Sequence, residues 1–174
     1  MPSPRLDSVI GHSPTTESSL GDGIFCAAEF ADYGGRIGIG TDSNVRIDAS
    51  EELRTLEYSQ RLSHRARNVL ASASGESTGR TLFDAALAGG AAAIEAPAGL
   101  EKGASADLVT LAADHPAILE RRGNEILDSW VFAGDRGVVE HVWRGGQKVV
   151  VDGHHVSRGT IAARYRRALK NLLV

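Results

Sequence analysis

Arg36-Ile37-Gly38-Ile39-Gly40 runs straight into Thr41-Asp42-Ser43-Asn44, a short apolar segment with two glycines that ends in small polar residues. Upstream, Val9-Ile10-Gly11 has the same apolar character and opens into residues 12–23, whose Ser, Thr, Gly and Pro content predicts a loop without regular structure. Between the two, residues 25–33 place apolar side chains at helical spacing and stop at Gly34-Gly35, as helix C-termini commonly do. A strand, a helix and a second strand, each strand ending in polar residues, predict parallel α/β construction. Loops that follow such strands are where sites tend to be built.

Downstream, Asp48-Ala49-Ser50-Glu51 resembles a capping box in which Asp takes the Ser/Thr place and Glu51 reaches back. It predicts a long helix reaching to about Ala71, with Leu53, Leu56, Leu62, Ala66, Val69 and Leu70 as its buried stripe. A polar interruption, residues 72–79, leads into two short helices, 80–88 and 91–95, expected to break at Gly89-Gly90. After Pro97 the pattern turns to β. Residues 106–111 and 129–132 read as strands, and 138–144 with 147–151 read as a hairpin around Gly145-Gly146. Residues 160–172 form an amphipathic helix expected to pack back onto one of these sections.

At 174 residues the chain suffices for one domain with a core but falls short of the roughly 250 residues of a complete (β/α)₈ barrel. Its apolar share of 42% and charged share of 24% are globular values, which argue against disorder and against a membrane protein. A net charge of -3 leaves no broad basic face, so nucleic acid is not an expected partner. Arg164, Arg166, Arg167 and Lys170 fall on the polar side of the last helix and read as a solvated face. The single cysteine, Cys26, excludes an internal disulfide and a cysteine-built zinc site. Its apolar neighbours predict a small buried filler. The chain opens with no signal-peptide pattern, and no apolar run approaches the roughly 20 residues of a membrane span, so the cytoplasm is expected and a membrane is not. Residues 1–8 hold two prolines and no periodicity and read as an irregular or artificial start.

Asp42 stands just past a predicted buried strand. A carboxylate there can bind a hard or borderline cation, or take a proton from a metal-bound water. It can equally end the strand in an Asx-turn to its own backbone. The stretch Ser13-Pro14-Thr15-Thr16-Glu17-Ser18-Ser19-Leu20-Gly21-Asp22-Gly23 brings hydroxyls, two carboxylates and glycine amides together. Such a set can orient a small polar substrate, or Asp22 can simply cap the helix that begins near Ile24. The histidines, His12, His64, His115, His141, His154 and His155, include no His-x-His pair, and the His154-His155 pair reads as a polar strand end rather than a metal site. There is no Gly-x-Ser-x-Gly, P-loop or dinucleotide fingerprint.

GIGTDSN, the capped helix EELRTLEYSQRLSHRARN and GLEKGASADLV occur in that order, and together they resemble the C-terminal part of the amidohydrolase superfamily. SPTTESSLGDGIF and TGRTLFDAALAGGA narrow the resemblance to its formimidoylglutamate deiminases, which convert N-formimidoyl-glutamate and water to N-formylglutamate and ammonia in histidine degradation. ADLV and the later VWRGGQKVVVDGHH are common to many amidohydrolases and identify the superfamily alone.

The resemblance implies an α/β fold: the C-terminal portion of a (β/α)₈ barrel, part of a small β-sandwich, and a C-terminal helix. Residues 1–98 would hold the last two barrel strands and the helices after them, 99–157 the β-rich section, and 158–174 the final helix. Asp42 then corresponds to the metal-binding aspartate after the eighth strand, which also shuttles the proton of the attacking water. Thr16, Glu17 and Ser43 would lie at the substrate, Asn44 at the pocket rim at most, and the implied metal is zinc. The family's other ligands, a His-x-His pair and further histidines, have no counterpart here. The expectation is therefore a truncated chain, inactive by itself, from an upstream frameshift, a wrong start or a gene fragment. Its expected partners are a small-molecule substrate and either further copies of itself or a complementing N-terminal half. Two alternatives stand beside this: another deaminase of the superfamily, of nucleobase type, and a non-catalytic oligomerisation or binding remnant.

Overall fold

Val9–His12 (β1) and Arg36–Ile39 (β2) pair in parallel, with Val9 opposite Arg36 and Ile10 opposite Ile37, as the strand-helix-strand order predicts. The structure is a computed structural model that describes residues 8–43, 46–73 and 75–173, so Asn44 and most of the expected irregular start lie outside the described residues. The stretch after β1, expected as a loop, instead contains a helix, Pro14–Leu20 (α1). Proline is suited to a first helical turn because its fixed φ and missing N–H cost nothing there. The Glu17 carboxylate accepts the free Ser13 N–H at 2.9 Å, and Gly21 closes the helix in the left-handed conformation.

Ala27–Asp32 (α2) follows, and Ala27 rather than Cys26 takes the buried place; Cys26 stands at the helix N-terminus, exposed. Ala49–His64 (α3) begins as expected, with the Asp48 carboxylate accepting the amides of Ser50 and Glu51. Glu51 does not reach back; it pairs with Arg46. The helix ends at His64 rather than near Ala71, because Arg65 turns left-handed and the buried Glu57 carboxylate takes the Val69 and Leu70 amides at 3.0 Å each. Leu53 and Leu56 are buried as read, whereas Leu62 is 77% exposed.

One continuous helix, Thr78–Ala93 (α4), replaces the two expected short ones. Ser77 caps it, accepting the Arg80 amide at 2.9 Å. Gly89 is not a break but a contact. A Cβ there would stand 2.1 Å from the Ile37 carbonyl oxygen, so the missing side chain lets α4 lie directly on β2. Ala27, Ile37, Leu53, Leu56, Leu82 and Val131 form the core around this contact.

Leu108–Leu111 (β3) opens the second section, and the next element corrects the reading of residues 129–132 as a strand. They end a helix, Asn124–Phe132 (α5), which packs on α3 and α4. A short apolar run is ambiguous between the two states, and here the Arg54 guanidinium takes the carbonyls of Val131 and Gly134 just as the helix ends. Val139–Arg144 (β4), Gln147–Val151 (β5) and His154–His155 (β6) complete an antiparallel sheet of order β3-β4-β5-β6. The β4–β5 turn has positive φ at both Gly145 and Gly146, as a two-residue hairpin requires. The Gly145 amide donates to Asp107 at 2.6 Å, and this bond, followed by one from Ser105, holds the Asp107 carboxyl below the usual aspartate value. Arg158–Leu172 (α6) has no buried residue, so its apolar stripe does not pack back as expected. Among the described residues no helix is long and apolar enough to cross a membrane.

Adjacent glycines in α4 are therefore expected to respond in opposite directions. Gly89→Ala drives a methyl into backbone and should lower stability by about 1–3 kcal/mol or more. Gly90→Ala, with nothing within 4 Å, should raise it by roughly 0.5–1 kcal/mol through helix propensity. Urea denaturation of the three chains measures both shifts.

Candidate functional site at the strand ends

β1 and β2 deliver their C-terminal residues side by side. The ladder extends one step past β2, the Gly40 amide donating to the His12 carbonyl at 3.1 Å, and Thr41, Asp42 and Ser43 follow in a turn. Asp42 is exposed, has φ 50°, and its carboxylate has no hydrogen-bond or ion-pair partner among the described residues. It is thus placed at the end of a core strand with its oxygens open. Such a group can accept a proton or join a ligand set.

Facing it is the start of α1. Thr16 is buried, and its hydroxyl lies 2.9 Å from the Thr41 carbonyl oxygen and 2.9 Å from the Ser43 hydroxyl. Glu17 turns back toward β1: its Oε1 sits 2.8 Å from His12 Nδ1 and also accepts the Ser13 amide. His12 is buried at the strand end against the Phe25 ring, with centroids 5.0 Å apart. The structure therefore brings Thr16 together with Thr41 and Ser43, the two residues beside Asp42, and it joins Glu17 to His12. Asp22 caps nothing; α2 begins at Cys26 without a side-chain cap. The His12–Glu17 pair was not singled out in the sequence. Its signal there is a strand-terminal histidine followed, across a proline, by an acid in the first turn of a helix.

Behind the loop stands α3. Glu52, 1% exposed, accepts the Thr15 amide through Oε2 at 2.8 Å, so a buried carboxylate sets the position of α1. A metal is a different matter. Among the described residues, His, Cys, Asp and Glu side chains converge for an ion at Glu140, His141 and Asp152, with candidate donor atoms within 4.8 Å of one another, on the antiparallel sheet. Asp42 belongs to no such group, and one carboxylate is too small a donor set for zinc, which takes four ligands in structural sites and three plus water in catalytic ones.

Comparison with known proteins agrees with this architecture. Residues 3–149 match the Amidohydrolase family. The chain is 45% identical over 170 residues to formimidoylglutamate deiminase of Pseudomonas aeruginosa, covering 97% of this chain and 38% of that protein. It is 31% identical over 147 residues to 5-methylthioadenosine/S-adenosylhomocysteine deaminase of Natronomonas pharaonis, covering 82% of this chain and 32% of the relative. Among solved structures, an amidohydrolase from Brucella melitensis superposes with a TM-score of 0.86 at 51% identity, over 94% of this chain and 36% of that one. The chain thus spans well under half the length of each protein it matches.

Glu17→Ala should leave buried His12 and the Ser13 amide without their acceptor, at a cost of about 1–3 kcal/mol in urea denaturation. Glu17→Gln keeps an acceptor and should cost less. Nitrogen-15 spectra of the imidazole should show the proton on Nδ1 in the parent chain.

Proposed function

Because the chain belongs to the amidohydrolase family, we propose that it carries the Asp42 end of an active site for hydrolysis of a C–N bond, of the formimidoylglutamate deiminase kind. The observation that carries this is the Asp42 carboxylate at the end of β2, without a partner among the described residues, in a chain of which 97% aligns with that deiminase at 45% identity. In this reading residues 1–98 supply the end of the barrel, 99–157 part of the small sandwich and 158–174 the closing helix. The reaction takes place in the cytoplasm.

Water adds to the formimidoyl carbon of N-formimidoyl-glutamate. Asp42 accepts the proton that the water loses and returns it to the departing nitrogen, so that ammonia leaves and the carbon keeps oxygen as a formyl group. Ser43 lies at the substrate beside Asp42, and Thr16 and Glu17 line the same mouth from α1. Zinc is the family's implied metal, but Asp42 alone does not make a site for it. The remaining groups come from a complementing N-terminal half, self-association of the chain being the other expected partnership, and the substrate is a small molecule.

A second reading, favoured by the 31% identity to the methylthioadenosine deaminase, is hydrolytic removal of an amino group from a purine ring by the same carboxylate. Substrate choice separates the two. The purified chain with zinc alone should release no ammonia from N-formimidoyl-glutamate. Combined with the N-terminal part of the Pseudomonas aeruginosa relative it should do so, and Asp42→Asn should then lower the rate by roughly 10²–10⁴. Turnover by the chain alone, an Asp42→Asn chain of full activity, or release from methylthioadenosine with none from the formimino acid would each defeat the first reading.

A further inference from the structure

We propose that Thr16 is the positioning residue of the Asp42 turn, an inference that rests on reading Asp42 as the reacting carboxylate. One hydroxyl grips the residues on both sides of Asp42, at 2.9 Å from the Thr41 carbonyl oxygen and 2.9 Å from Ser43 Oγ. A hydroxyl has one proton and two lone pairs. The carbonyl can only accept, so Thr16 donates to Thr41, and the bond to Ser43 runs the other way. The relay has a single polarity: the Ser43 hydroxyl donates to Thr16, and the Thr16 hydroxyl donates to the Thr41 carbonyl.

The turn gains from such a grip. Asp42 has φ 50°, in the left-handed region that residues bearing a Cβ adopt uncommonly, aspartate more readily than most, so a bond on either side steadies the turn. Thr16 can steady it because it is fixed in turn. It is 9% exposed, it sits in the first turn of α1, and the neighbouring Thr15 amide is tied to buried Glu52 on α3. Position is handed from α3 to α1 and from α1 to the residue that does the chemistry.

The polarity has a consequence for the substrate. With its proton committed to Thr16, Ser43 offers a ligand lone pairs alone, and Asp42 beside it offers carboxylate oxygens. The turn is therefore a cluster of acceptors. It suits a group rich in N–H, such as a formimino group protonated on nitrogen, and it disfavours a carboxylate.

Thr16→Val keeps the shape and removes the hydroxyl, and Thr16→Ser restores it. In the isotopically labelled chain, the Asp42 Cα shift and its three-bond HN–Hα coupling report φ, and the Thr41 carbonyl carbon reports its hydrogen bond. Thr16→Val should move all three, and Thr16→Ser should return them to the parent values. Loss of packing alone would not be repaired by the smaller serine. If the Thr41–Ser43 signals of Thr16→Val match the parent, the proposal is overturned. Should the valine chain not fold, the parent chain still decides: a slowly exchanging Thr16 hydroxyl proton coupled to the Thr41 carbonyl supports the relay, and a hydroxyl in fast exchange with water rejects it. A silent Asp42→Asn in the ammonia assay, alongside shifted Thr41–Ser43 signals in Thr16→Val, would remove the catalytic reading and leave the grip on the turn in place.

Discussion

Gln60, Glu52 and Glu57 are the largest fully buried side chains, and all three stand on α3. Burying carboxylates and an amide is costly unless each finds its hydrogen bonds, and here the partners are mostly backbone groups of surrounding loops. Glu52 takes the amide of Thr15 in α1, and Gln60 takes the Ala27 amide and donates to the Phe25 carbonyl ahead of α2. Glu57 collects the Val69 and Leu70 amides together with the Arg61 guanidinium at 2.7 Å. Each bond to a charged group is worth about 1.5–3 kcal/mol, and each loop that moved would strand its partner inside the core. The helix therefore acts as a template that locates three loops at once.

Beside that polar template lies a very tight apolar one. The Gly89 backbone rests on Ile37 and Gly38, and the Gly79 amide donates to Asp128 at 2.7 Å where α4 meets α5. These contacts fix how far β2 stands from α4 and so where its C-terminal turn begins. Parallel strands usually require cover on both faces, because their crossovers put helices there. In β1 and β2 the cover on one side is the small-residue face of α4.

Much of this was legible in the sequence, for identifiable reasons. The strand running into Thr41-Asp42-Ser43, the Asp48 cap and the Gly145-Gly146 hairpin depend on residues close together in the chain, where local chemistry dominates. The misreadings involve distant partners. Gly89-Gly90 looked like a break because nothing local says that one glycine meets Ile37. The α3 terminus came early because Glu57 recruits Val69 and Leu70 from beyond it, and Leu62, which fits the helical period, turns outward. Ser129-Trp130-Val131-Phe132 reads as a strand because its three consecutive apolar residues carry no period, yet it ends α5. The place of Asp42 just past a strand is legible locally, while the bonds from Thr16 to Thr41 and Ser43 span a sequence separation that no motif records.

The geometry also divides labour among the residues first grouped as substrate contacts. Thr16 is buried and gives its proton to Thr41 and a lone pair to Ser43. One oxygen of Glu17 is held by His12 and the Ser13 amide. Asp42 differs in that its carboxylate has no hydrogen-bond or ion-pair partner among the described residues. A carboxylate tied into a firm network would be a poor proton carrier, since each bond to its charged form opposes protonation. Among the described residues, the bonds at this turn go to Thr41 and Ser43 on either side of Asp42 and not to its carboxylate. Glu52 on α3 and Thr16 on α1 thus set the place of the turn at the end of β2.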